Sequence, residues 1–119
     1  MSVQNPNPLE ALVGSHLSAV VFVQNYVQLQ FDGPGLTALT PPRVRVMNQS
    51  FEWGKQGYRD ALCDRIGKLV RHGSTIPEQE ISIEFEDGSS ISISLNPKDY
   101  RGAEAAIFNN PPNPPVVWQ

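Results

Sequence analysis

The chain has 119 residues, nine basic and twelve acidic, for a net charge of −3, and only 18% of its residues are charged. That length suits one domain around one core. A single cysteine excludes an internal disulfide, and one cysteine with two histidines cannot supply a zinc site of four cysteines, or of two cysteines and two histidines.

Eleven prolines, about twice the usual share of about 5%, punctuate the chain. Pro6 and Pro8 lie at one end and Pro111, Pro112, Pro114 and Pro115 at the other, so residues 1–8 and 109–119 read as proline-rich end segments of a single domain. The remaining five fall between patterned segments, where a fixed φ and a missing N–H disturb least.

In chain order, Asn7 followed by Pro8 reads as an N-cap and N1, opening one or two helical turns that Gly14 can close at C′. Residues 16–24 are rich in β-branched and aromatic side chains, and residues 26–31 alternate Val27, Leu29 and Phe31 against Tyr26, Gln28 and Gln30. Together they predict a hairpin turning at Gln24 and Asn25. The turn signal at Asp32 to Gly35 leads to a third strand over 36–39, which Pro41 and Pro42 stop, and Arg43 to Val46 alternate as a further strand. Strand 17–23 is apolar on both faces, so its second face must meet the helix, the tail or a second subunit. This makes a homodimer one expectation.

Residues 57–70 predict one long amphipathic helix, because Tyr58, Ala61, Leu62, Ile66, Leu69 and Val70 recur at three- and four-residue spacing. Asp60 and Asp64 fall early, Lys68, Arg71 and His72 fall late, and Gly73 follows as a C′ residue, in the order the helix dipole favours. Residues 80–95 predict a hairpin through Asp87 and Gly88, with Ile81, Ile83, Phe85, Ile91, Ile93 and Leu95 inward and serines outward. Residues 96–100 read as a turn or one helical turn. Residues 102–108 stay open between helix and strand, and Val116 to Trp118 should dock the tail. The Phe-Asp-Gly at 31–33 and Phe-Glu-Asp-Gly at 85–88 echo each other, either because Asp-Gly is the commonest hairpin turn or through a duplication. The fold class expected is α+β, a mainly antiparallel twisted sheet of about six strands with the 57–70 helix packed on it.

Chemistry is sparse. Cys63, predicted at the margin of the helix's buried stripe, reads as packing. His16 and His72 lack a third ligand, Asp32 and Asp87 belong to turns, and Glu84, Glu86, Asp99 and Glu104 show no converging spacing. No phosphate loop, dinucleotide fingerprint or nucleophile elbow is present. No catalytic residue, metal ligand or cofactor is therefore assigned. An acidic chain with a pI near 5.2 and no basic stripe is a poor match for nucleic acid. Its longest apolar run, residues 19–23, is too short for a membrane span. The amino-terminal stretch predicts no secretory leader, and a lone thiol fits a reducing compartment, so a cytoplasmic location is expected.

Recognition-type residues stand out instead. Phe51, Trp53, Tyr58 and Arg59 lie before and at the helix start, and Tyr100, Arg101 and Trp118 lie near the end. Such residues dominate the binding energy of interfaces, although Phe51 and Trp53 can equally cap the core and Trp118 can staple the tail.

The string from Gly57 to Val70, the Phe-Glu-Asp-Gly at 85–88 and the run from Ser94 to Ala106, with Leu12-Val13-Gly14, resemble a family of small uncharacterised bacterial proteins. The resemblance implies an α+β domain with no assigned reaction, and suggests a proline where Ala103 stands. In size and charge the chain is also similar to toxin-neutralising immunity proteins, an analogy of type only. The function expected is a non-enzymatic interaction module acting through an acidic and aromatic surface, with Trp53, Tyr100, Arg101 and Glu104 as anchors. The alternative is a small-molecule binder, or an enzyme, with a pocket between sheet and helix and an anion held by Arg43 and Arg45.

Overall fold

Alternation of apolar and polar side chains governs most of the chain in the computed structural model, which describes residues 7–119. Among the described residues ten strands form: β1 (Leu17–Val23), β2 (Tyr26–Phe31), β3 (Gly35–Ala38), β4 (Arg43–Val46), β5 (Gln49–Phe51), β6 (Val70–Ile76), β7 (Glu80–Phe85), β8 (Ser90–Ser94), β9 (Ala106–Asn109) and β10 (Val116–Trp118). They make two antiparallel five-stranded sheets, ordered β1-β2-β3-β9-β10 and β5-β4-β8-β7-β6. The one α-helix among these residues, α1 (Tyr58–Cys63), is six residues long. Short 3-10 turns occupy Pro8–Leu12 and Pro97–Asp99, each capped by an asparagine side chain, Asn7 and Asn96. Pro6 and the rest of the first six residues lie outside the described part.

The expected α+β arrangement of a long helix on a sheet of about six strands is thus corrected to a mostly β fold. The helical periodicity of residues 57–70 fails after Cys63. Gly67 takes a φ of +91°, a left-handed conformation that suits glycine, and the chain swings into β6 at Val70. Ile66, assigned to the buried stripe, is 43% exposed. Arg71 and His72 do not end a helix but lie on β6, where Arg71 pairs with Glu84 at 3.2 Å and His72 is in register with the same residue. Gly73 is no C′ residue either. It sits mid-strand, where a Cβ would stand 3.0 Å from the backbone oxygen and Cβ of Leu9, so its missing side chain lets the amino-terminal turn lie on β6.

The hairpins expected at β1-β2 and β7-β8 form in register, with Val20 opposite Leu29 and Ile83 opposite Ile91. The open segment 102–108 resolves as the approach to β9 and most of that strand, whose Phe108 pairs with Leu36 on one side and Val116 on the other. The tail docks through β10, and Ala105 donates its N–H to the Trp118 carbonyl at 2.7 Å. One core lies between the sheets, with Val27, Leu29, Leu36 and Phe108 from the first and Val44, Ile81, Ile83, Phe85, Ile91 and Ile93 from the second. Burial of these side chains is the main stabilising term, at about 25 cal/mol per Å².

The start of β1 meets the loop leading into β6 at one corner, where Leu17 exchanges backbone hydrogen bonds with Gly67 and Lys68. From that corner α1 runs back beside β1, and the Arg59 guanidinium lies 5.9 Å from the Phe22 ring centroid. A helix along an edge strand is one way of closing it to pairing. That contact is made through Phe22, which pairs with the buried Val27 on the core-facing side, so it does not account for the second face of β1, where Val21 lies opposite Gln28. Among the described residues no helix is long and apolar enough to cross a membrane.

Candidate functional site

Three loops gather at one end of the two sheets: the β1-β2 turn, the β5-α1 connection, and the segment around Tyr100. Trp53 stands between them. Its ring lies 5.9 Å from that of Tyr58, inclined at 60°, while the Arg101 guanidinium sits over it, 5.2 Å from its centroid. Arg101 Nη1 also donates to the Asn25 carbonyl at 3.0 Å, tying the carboxyl-terminal segment to the first hairpin. Tyr58 is 3% exposed and donates its hydroxyl to the Pro42 carbonyl at 2.7 Å. Burial holds its phenol well above the usual tyrosine range. The tryptophan is therefore held by a fixed, tilted ring and by a cation over its face.

Two open clefts share Trp53 as a wall. One, of about 520 Å³, lies between the β1-β2 hairpin and the start of α1, lined by Phe22, Val23, Lys55, Tyr58 and Arg59. The other, of about 860 Å³, runs toward the outer face of the second sheet past Arg43, Glu52, Lys98, Asp99, Tyr100 and Arg101.

The structure brings together Trp53, Tyr100, Arg101 and Arg43 among the residues singled out by sequence. It does not bring Glu104 or Arg45 to them: Glu104 is half-buried and Arg45 exposed, and neither lines a cleft. Arg45 stands on β4 opposite Ser50 and Ser90, and Arg43 is engaged by Glu52 at 3.6 Å. The lining is not acidic. Of the nine basic side chains, five (Arg43, Lys55, Arg59, Lys98 and Arg101) line the clefts, against four of the twelve acids. Sequence reasoning passed over Lys55, Lys98 and Asn25. The available signal was basic residues two positions from both Trp53 and Tyr100.

The remaining candidates carry structural roles. Asp87 accepts from the Ser89 N–H at 2.9 Å, as its turn requires, and also from Arg65 Nη1 at 3.0 Å. Arg65 is 6% exposed and reaches Ser89 Oγ at 2.6 Å as well. For the Asp87 carboxyl, desolvation is the largest single influence and raises its pKa. The Ser89 hydrogen bonds and the charges of Arg65 and Lys68 together outweigh it and hold the group below the usual carboxylate range. Asp32 is not confined to its turn, because its carboxylate accepts from the His16 backbone N–H at 2.9 Å, which lowers its pKa. Cys63 is exposed, not packed at a buried margin as expected from a longer helix. Among the described residues no three His, Cys, Asp or Glu side chains group as metal ligands.

Comparison with known protein families, with curated proteins and with solved structures gave no match.

Proposed function

We propose that the chain is a non-enzymatic interaction module that docks a segment of another protein across the Trp53 surface. The observation that carries this reading is the position of Trp53 as a shared wall of two open clefts, in contact with the Tyr58 ring and the Arg101 guanidinium. Aromatic and arginine side chains fixed by their own neighbours lose little further freedom on binding, which is why they anchor interfaces. The clefts are open, as suits a chain segment lying across them.

The test is photo-crosslinking from position 98, with the captured protein identified and the complex rebuilt from purified components. A Trp53→Ala change is expected to weaken the rebuilt complex by at least about tenfold, a typical anchor loss. Equal affinity for Trp53→Ala and the unchanged chain would overturn the reading.

A second reading, a small-molecule binder, is favoured by the cleft between hairpin and helix, whose volume of about 520 Å³ falls in the usual range for ligands. A thermal-shift screen over metabolite classes separates the two, since a ligand at 100 times its Kd adds about 2.7 kcal/mol of stability.

A further inference from the structure

Charge around Trp53 runs against the charge of the molecule. Four basic side chains among the described residues form ion pairs: Arg43, Arg65, Lys68 and Arg71. The other five are Arg45, Lys55, Arg59, Lys98 and Arg101, and all but Arg45 line the two clefts. Two cation–aromatic contacts are here too, Arg59 on Phe22 and Arg101 on Trp53. The cleft linings also hold four acids, Glu52, Asp60, Glu80 and Asp99. Glu52 is paired with Arg43, and Asp99 accepts from Ser94 Oγ at 2.6 Å while keeping its charge. Five cations against four carboxylates leave the lining slightly positive. Four cations without carboxylate partners among the described residues thus surround a fixed tryptophan on a chain of net charge −3. Such an arrangement attracts negative charge locally while the rest of the surface repels it.

Resting on the interaction reading above, we infer that the docked segment is an acidic peptide carrying apolar or aromatic side chains. Its carboxylates meet Lys55, Arg59, Lys98 and Arg101, and one ring or aliphatic group enters the cleft between Phe22 and Trp53. Nucleic acid is disfavoured as occupant because acids beyond the clefts, among them Glu78 and Glu86, oppose a phosphate chain that extends past them, whereas a short peptide need not reach them.

The experiment is an amide NMR titration of the whole chain with three probes: a capped decapeptide of alternating Glu and Tyr, its Lys-Tyr counterpart, and a ten-nucleotide thymidine strand. The Glu-Tyr peptide is expected to shift amides of residues 22–25, 53–59 and 98–101. Its affinity should fall about tenfold in the Lys55→Glu, Arg59→Glu double variant, and also in high salt. Lys98→Glu provides a second variant remote from the helix in case the double variant loses its fold. Equal shifts with the Lys-Tyr peptide would overturn the acidic assignment while leaving the interaction surface standing. No shift with either peptide at these residues would count against both. Preference for the thymidine strand would replace a protein partner with a nucleic acid and overturn the inference.

Discussion

Tyr58 and Pro42 join the helix start to the entry of β4, through a buried hydrogen bond of 2.7 Å from the phenol to the proline carbonyl. The bond fixes the ring on which Trp53 leans, so one hydroxyl links the start of α1 to the placing of Trp53. Tyr58→Phe leaves the Pro42 carbonyl buried and unpaired, with an expected loss of about 1–2 kcal/mol in urea unfolding.

The same phenol sets an alkaline limit. Its folded pKa is raised above the ordinary 10.0 by burial, so the folded state holds a proton that the unfolded chain releases. Its contribution is complete below about pH 10 and declines as the pH rises from there toward the folded value. The fall in stability between about pH 9 and pH 11 is expected to be smaller in Tyr58→Phe than in the unchanged chain.

Arg65 is nearly enclosed, with Asp87 as its counter-ion and Ser89 as its neutral partner. Asp87→Ala leaves that cation without its charge partner and is expected to destabilise by about 2 kcal/mol. This is below the figure for a fully buried pair because Asp87 remains partly exposed. The folded pKa of Asp87 is depressed, so its contribution is present above the ordinary carboxylate value of about 4 and is lost as pH falls through the folded value. Acid unfolding followed by circular dichroism should therefore lose part of its steepness below about pH 4 in the Asp87→Ala variant.

Gly73 marks where the amino-terminal turn touches β6. Gly73→Ala places a methyl group 3.0 Å from the Leu9 backbone oxygen, a contact that flexible side-chain motion cannot relieve. The expected loss is about 1–3 kcal/mol, read from the shift of the thermal midpoint.

Much of the β structure was legible because period-two alternation leaves little choice of face. Ile81, Ile83 and Phe85 against Ser82 and Glu84, turning at Asp87-Gly88, predict both the hairpin and its buried side, and the tail's Val116 and Trp118 announce docking. The helix was over-read because two periodicities overlap at Ile66 to Val70: the apolar spacing continues a helical stripe, yet Val70 already begins a strand. Gly67 and Gly73 then fit a helix end by residue type while serving a left-handed turn and a close backbone approach. The error spread to Cys63, whose exposure follows from the helix stopping there, and to Arg71 and His72. Trp53, Tyr100 and Arg101 were visible by type, but their convergence on Asn25, Lys55 and Lys98 depends on long-range pairing of the sheets, which no local pattern encodes.

Docking across Trp53 is tested most sharply by amide hydrogen exchange on the chain alone and in a complex rebuilt with its captured partner. Protection is expected in three separate segments at once, around residues 22–25, 52–59 and 98–101, with Trp53→Ala removing it. Protection confined to the outer face of the first sheet, at Val21, Thr37 and Ile107, with these loops unchanged, would contradict the account.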